Sequence, residues 1–156
     1  MHIVCSIRYA PYHMEHIIWT VWSIRNLNFI SEAGFGVTEK GSLSSKLKYT
    51  QINLRPPSFC DKIAKSIDEF DGERFLCGVG RKMNPIVRRD ACQNDSGGPM
   101  IAKVLDEKHE EKYTLIGVVS FGEGIGDGIF ASCGSFGSYT KVSKYLNFIH
   151  DPVHNY

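Results

Sequence analysis

Residues Asp90 to Ile101 read "DACQNDSGGPMI", and Ser96 in that run has the setting of an activated nucleophile, with Asp95 directly before it and Gly97, Gly98 and Pro99 directly after. A serine hydroxyl is a weak nucleophile near neutral pH. Acyl transfer through Ser96 therefore needs an imidazole within hydrogen-bond reach and a third group to orient that imidazole. The chain offers six histidines: His2, His13, His16, His109, His150 and His154. All but His13 and His16 read as terminal or loop-exposed, and none stands in a context that marks it as the base. The five cysteines, Cys5, Cys60, Cys77, Cys92 and Cys133, form no C-x-x-C pair, and no histidine lies at ligand spacing from two of them. No zinc site is expected, and no other metal or cofactor is indicated. Scattered cysteines fit a disulfide framework made in an oxidising compartment, and their odd number leaves one to pair outside the chain.

The elements that hold these residues must come from 156 residues, enough for one domain with a moderate core. Hydrophobic residues make up 42% and charged residues 22%, and the net charge of +1 points to neither a nucleic-acid partner nor a membrane surface. The longest apolar stretch, "IIWTVWSI" from Ile17 to Ile24, falls far short of the ~18–20 residues of a membrane span. The opening "MHIVCSIRYAPYHMEH" lacks a basic flank, an apolar core and a cleavage site, so no signal peptide is read there. For a complete chain that would suggest the cytosol, in conflict with the cysteines.

Short strand-like runs bounded by turn residues dominate. "HIVCSIRYA" and "IIWTVWSI" are rich in β-branched and aromatic residues, "LKYTQINL" alternates with a mixed period, and "GPMIAKVL" and "YTLIGVVSF" are the clearest strands. The last two are joined by "DEKHEEK", Asp106 to Lys112, which reads as a solvated hairpin tip. "GEGIGDG", Gly122 to Gly128, reads as a loop because so much backbone freedom is costly inside a strand. Two helices are expected. "PPSFCDKIAKSIDEF" has Ser58 as a cap and Ile63, Ile67 and Phe70 on one face, and "KVSKYLNFIHD" repeats Val142, Tyr145, Leu146 and Ile149 up to Pro152. There are no internal repeats. The expectation is a single all-β domain with a short internal helix and a C-terminal one.

Four motifs in order carry a resemblance: "EAGFGVTEKGSLSSKLKYTQINL", "DACQNDSGGPM", "GVVSFG" and "CGSFGSYTKVSKYLNFI". Together they resemble the trypsin-like serine proteases, with a flavour similar to insect clip-domain members in the F-G of "EAGFG" and the terminal Y-T-K-V-S-K-Y. That family has two six-stranded antiparallel barrels with the active site between them and a triad in the order His, Asp, Ser. The resemblance implies a single six-stranded Greek-key barrel, the second of the two, with the whole chain from residue 1 to 156 a partial peptidase domain. No T-A-A-H-C, D-I-A-L or I-V-G-G stretch is present, so the histidine, the aspartate and the activation terminus are expected upstream of this chain.

Residue by residue, the resemblance makes Ser96 the nucleophile and the N–H groups of Ser96 and Asn94 the oxyanion hole, where losing one donor costs about 10²–10³ in rate. The family has glycine at the position of Asn94, so a strained or flipped amide, or a hole that disfavours bulky inhibitors, is expected there. Asp95 matches the carboxylate that turns inward to meet the new N-terminus, and without that partner the site is expected to stay disordered or zymogen-like. Asp90 matches the base of the primary specificity pocket, where it meets a substrate Arg or Lys; Ala91 beside it favours arginine. Gly122 and Gly137 match the glycines that keep the pocket open, and Ser120 with Gly122 the strand that pairs with substrate backbone. Phe121 is either a subsite floor or core. Cys60 with Cys77 and Cys92 with Cys133 resemble two family disulfides, and Cys5 the cysteine that joins a light chain or N-terminal half.

The implied function is a secreted, extracellular endopeptidase cleaving after Arg or Lys, with protein substrates and serpin-type inhibitors as partners, represented by a C-terminal part that is inactive alone. Two alternatives remain open: a non-catalytic homologue acting as a binding partner in an extracellular cascade, and a truncated product with exposed apolar surface and no role of its own.

Overall fold

A computed structural model describes residues 30–63, 70–82, 88–105, 109–124 and 133–150. The strand candidates before Ile30, and the segments carrying Cys5, His2, His13, His16 and His154, lie outside the described residues. The described strands are β1 (Ile30–Gly34), β2 (Lys48–Arg55), β3 (Phe75–Lys82), β4 (Arg88–Arg89), β5 (Pro99–Leu105), β6 (Glu111–Gly124) and β7 (Gly134–Lys141). Helix α1 (Pro57–Ile63) lies between β2 and β3; after β7 come a 3-10 turn (Val142–Lys144) and α2 (Leu146–His150).

The sheet runs β2-β1-β5-β6-β7-β3, and β2 pairs back onto β3, so six antiparallel strands close into a barrel. Closure leaves no open edge among these six, and the connection from β3 across β2 and β1 to β5, which lies beside β1, gives the Greek-key order expected. β4 is a two-residue extension on the far end of β3.

Inward faces follow from the pleat. On β5, Met100 and Ala102 are fully buried and alternate with outward-facing residues, while β2 turns its even-numbered side in, with Ile52 buried and Leu54 packed behind it. These residues join Ile30, Val119 and Tyr139 in the barrel interior. A second cluster, Cys60, Phe70, Cys77, Val79 and Phe136, sits between β3, β7 and α1. Its rings meet edge-on, with Phe121 and Phe75 centroids 5.5 Å apart and Phe70 and Phe136 6.4 Å apart. The Cys60–Cys77 disulfide ties α1 to β3 across this cluster. Closing a loop of 17 residues in the unfolded chain is worth about 3 kcal/mol.

Three expectations need correction. β6 does not stop before the glycine-rich run: Gly122, Glu123 and Gly124 pair with Gly137, Phe136 and Gly134, because β7 is equally glycine-rich there and the two backbones ladder together. Helix α1 starts at Pro57, so Ser58 lies inside its first turn and does not cap it, and Pro57 supplies the preset φ of a first helical position. Phe70 lies outside α1; its N–H donates to Asp61 Oδ1 at 2.6 Å.

The candidate site around Ser96

Two consecutive turns carry the residues between β4 and β5. The Asp95 N–H donates to Cys92 O at 3.1 Å and the Gly98 N–H to Asp95 O at 2.9 Å. The loop is fastened to β6 by reciprocal bonds, Gly97 N–H to Val119 O at 2.8 Å and Val119 N–H to Gly98 O at 2.9 Å. The Val37 N–H reaches Gln93 O at 2.9 Å from the loop after β1, and the Cys92–Cys133 disulfide braces the other side near the start of β7. Both disulfides implied by the resemblance are present.

Ser96 is held at the outer face of this loop, its hydroxyl donating at 3.5 Å to Ser120 O of β6. That contact is at the limit of hydrogen-bond reach, and no imidazole bonds the hydroxyl among the described residues. Asn94 has φ 68°, in the left-handed region where glycine is favoured and asparagine is the best-tolerated substitute. Gly97 follows with φ 84°. Among the described residues, neither the Asn94 nor the Ser96 N–H donates a hydrogen bond within the chain.

Asp95 points the opposite way from Ser96. Its Oδ1 accepts the Gly36 N–H at 2.7 Å and its Oδ2 the Cys92 N–H at 3.0 Å. The seat is tight: a β-carbon on Gly34 would lie 1.9 Å from the carboxylate, and one on Gly36 2.5 Å. The carboxylate thus has two backbone donors inside the chain, which is how an inward-turned charge is kept solvated by protein.

Asp90 opens the loop, its Oδ1 accepting the Ala91 N–H at 3.0 Å and lying 3.5 Å from the Tyr139 hydroxyl. Tyr139 is fully buried and donates at 2.6 Å to Glu32 Oε2 on β1. Its ring lies over the paired glycines Gly78 and Gly137: a β-carbon on Gly137 would come 2.6 Å from the hydroxyl, and one on Gly78 2.7 Å from the ring. Gly122 faces Gly137 across the ladder. Phe121 packs against Phe75 and Phe136, which favours the core reading of that residue.

Glu32 and Tyr139 went unnoticed in the sequence. The available signal was a carboxylate two residues from Ile30 on the same face of β1. Glu32 is only 4% exposed. Burial above all, then the negative charge of Asp90, pushes its carboxyl from 4.5 to about 8, with the Tyr139 hydrogen bond pulling the other way. Burial also pushes the Tyr139 phenol well up.

Residues 28–149 match the family model described as Trypsin. This chain belongs to the trypsin family of serine proteases. It is similar to vitamin K-dependent protein C of Oryctolagus cuniculus, 36% identical over 109 residues, which is 69% of this chain and 20% of that protein. Tissue-type plasminogen activator of Pongo abelii is 34% identical over 123 residues, covering 76% of this chain and 20% of the relative. Complement C1r-A subcomponent of Mus musculus is 30% identical over 120 residues, 75% of this chain and 15% of that protein. The chain therefore spans about a fifth or less of the length of these relatives.

Proposed function

We propose that residues 1–156 are the second-barrel part of a serine endopeptidase that cleaves after Arg or Lys. The observation that carries this reading is the single loop that presents Ser96 outward beside Ser120 of β6 and sets Asp90 inward beside Tyr139. Ser96 Oγ attacks the scissile carbonyl as its proton passes to an imidazole from the segment that completes the site. The tetrahedral adduct then collapses, the C–N bond breaks, and the imidazole returns the proton to the leaving amine. The Asn94 and Ser96 N–H groups receive the developing alkoxide. Ser120 and Gly122 pair with substrate backbone, Gly137 leaves room for the side chain, and Asp90 meets its positive charge. Asp95 is the carboxylate that responds to activation. Without the histidine and aspartate the chain alone is nearly inactive.

Cys5 joins the missing segment, and the protein works outside the cell, where disulfides such as Cys60–Cys77 and Cys92–Cys133 form and persist. Protein substrates and serpin-type inhibitors are its partners. Among the described residues no helix is long and apolar enough to cross a membrane.

The test is hydrolysis of peptides that differ only at the residue before the scissile bond, using the protein isolated from its source. Cleavage after Arg and Lys but not Phe is expected; cleavage of none, or after Phe alone, sinks the proposal.

A second reading, a non-catalytic homologue that serves as a binding partner, is favoured by Asn94 standing at φ 68° where the family has glycine. Labelling of Ser96 by an organophosphorus reagent would exclude it.

A further inference from the structure

Behind Asp90 lies a second acid. One phenol oxygen, Tyr139 Oη, is 2.6 Å from Glu32 Oε2 and 3.5 Å from Asp90 Oδ1, so the two carboxylates lie within about 6 Å of each other. Glu32 is buried by the barrel, and its other oxygen, Oε1, has no hydrogen-bond partner among the described residues. A phenol carries one proton, and the shorter distance gives it to Glu32. Two carboxylates this close, one buried and the other half-buried, do not both ionise readily.

We propose that Glu32 is a second carboxylate of the specificity pocket, holding a proton while the pocket is empty and releasing it when a cationic side chain is seated at Asp90. The inference rests on the reading of Asp90 given above. The proton on Glu32 passes to solvent, the carboxylate left behind keeps the Tyr139 hydrogen bond, and the incoming guanidinium or ammonium replaces the proton as counter-charge. Asp90 provides the direct contact. Glu32 acts through Tyr139 and through space, as a positioning and specificity-determining residue, and makes cation binding depend on pH.

The groups that set this linkage are few. Asp90 and Asp95 in the serine loop are the charges that oppose ionisation of Glu32, and Tyr139 on β7 is its hydrogen-bond donor. On the strands that pair with it, Glu32 stands opposite Thr50 of β2 and Met100 of β5, neither of which titrates. The direction follows. The raised pKa of Glu32, about 8, falls when a cation binds, so affinity climbs as pH rises towards 8 and levels off above it.

The experiment uses the protein in its active, disulfide-bonded form and benzamidinium as the cation. Affinity is measured by calorimetry from pH 6.5 to 8.5, in buffers of different ionisation enthalpy so that released protons are counted. Wild type is expected to gain about tenfold in affinity over this range, with up to one proton released per cation. Glu32→Gln, which keeps shape and removes the titration, is expected to bind at the low-pH affinity of wild type throughout, with no release. Binding that is flat with pH and proton-free in wild type, yet lost in Asp90→Asn, would overturn the role of Glu32 and leave the Asp90 pocket standing. No benzamidinium binding at any pH would overturn both. Should Glu32→Gln fail to fold, proton release by wild type decides alone.

Discussion

At the scale of single residues, the serine loop divides its labour by orientation. Ser96 faces out, Asp95 faces in onto two backbone amides, and Asp90 faces Tyr139. Glu32 adds a cost to this arrangement. Its carboxyl is raised from 4.5 to about 8 in the folded chain, so the folded state binds a proton that the unfolded state has already lost between those values. Stability from this group is therefore intact below pH 4.5, falls as pH rises from 4.5 to 8, and is constant above 8. The loss is on the order of 4–5 kcal/mol. Glu32→Gln is expected to flatten that part of the curve and to be the more stable protein at pH 8, as read from urea midpoints at pH 5 and pH 8. Parallel curves for the two proteins would contradict the assignment. Glu32 was not legible as a site residue because its partners, Tyr139 and Asp90, are 107 and 58 positions away and meet it only when the barrel closes.

At the scale of elements, legibility followed pattern. β5 and β6 were visible because Met100 and Ala102, and later Val119, repeat at the period of a half-buried strand. β1 and β3 were hidden. "ISEAG" has Ser31 and Glu32 buried in the middle of a strand, and "FLCGVGRK" carries glycines that look like turn residues. Gly78 is a glycine because the Tyr139 ring and the Ile52 methyl leave it no room for a β-carbon, a constraint from β7 and β2 that β3 itself does not reveal. The same packing makes a prediction on β7. Gly137→Ala puts its methyl against the Tyr139 hydroxyl, and is expected to destabilise by about 1–3 kcal/mol and to weaken cation binding at Asp90. Thermal unfolding and benzamidinium titration check the two effects, and an unchanged titration would separate Gly137 from the pocket.

At the scale of the whole molecule, the barrel is closed, and several large apolar side chains among the described residues stay exposed. Tyr49 is 75% exposed and Leu43 62%, and Phe35 and Leu47 flank the paired end of β1 and β2 beside them. Apolar side chains gathered at one end of a ladder mark a surface that is normally buried against something else. The 156-residue chain by itself is expected to self-associate as its concentration rises, and Leu47→Lys with Tyr49→Lys to reverse this, as measured by sedimentation velocity. A chain that remains monomeric at every concentration would show that this surface is tolerated in water.

The central claim, an acylable Ser96 beside a pocket for a positive side chain, is tested most directly by trapping. The protein isolated from its source is treated with a peptidyl diphenyl phosphonate bearing an arginine-like side chain, and with its phenylalanine analogue. Attack by Ser96 Oγ forms the Oγ–P bond and expels phenol, leaving an adduct that mass spectrometry locates. An adduct on Ser96 from the arginine reagent, none from the phenylalanine reagent, and much slower trapping in Asp90→Asn are expected. Equal trapping by both reagents would contradict the pocket, and no adduct with either would contradict the nucleophile.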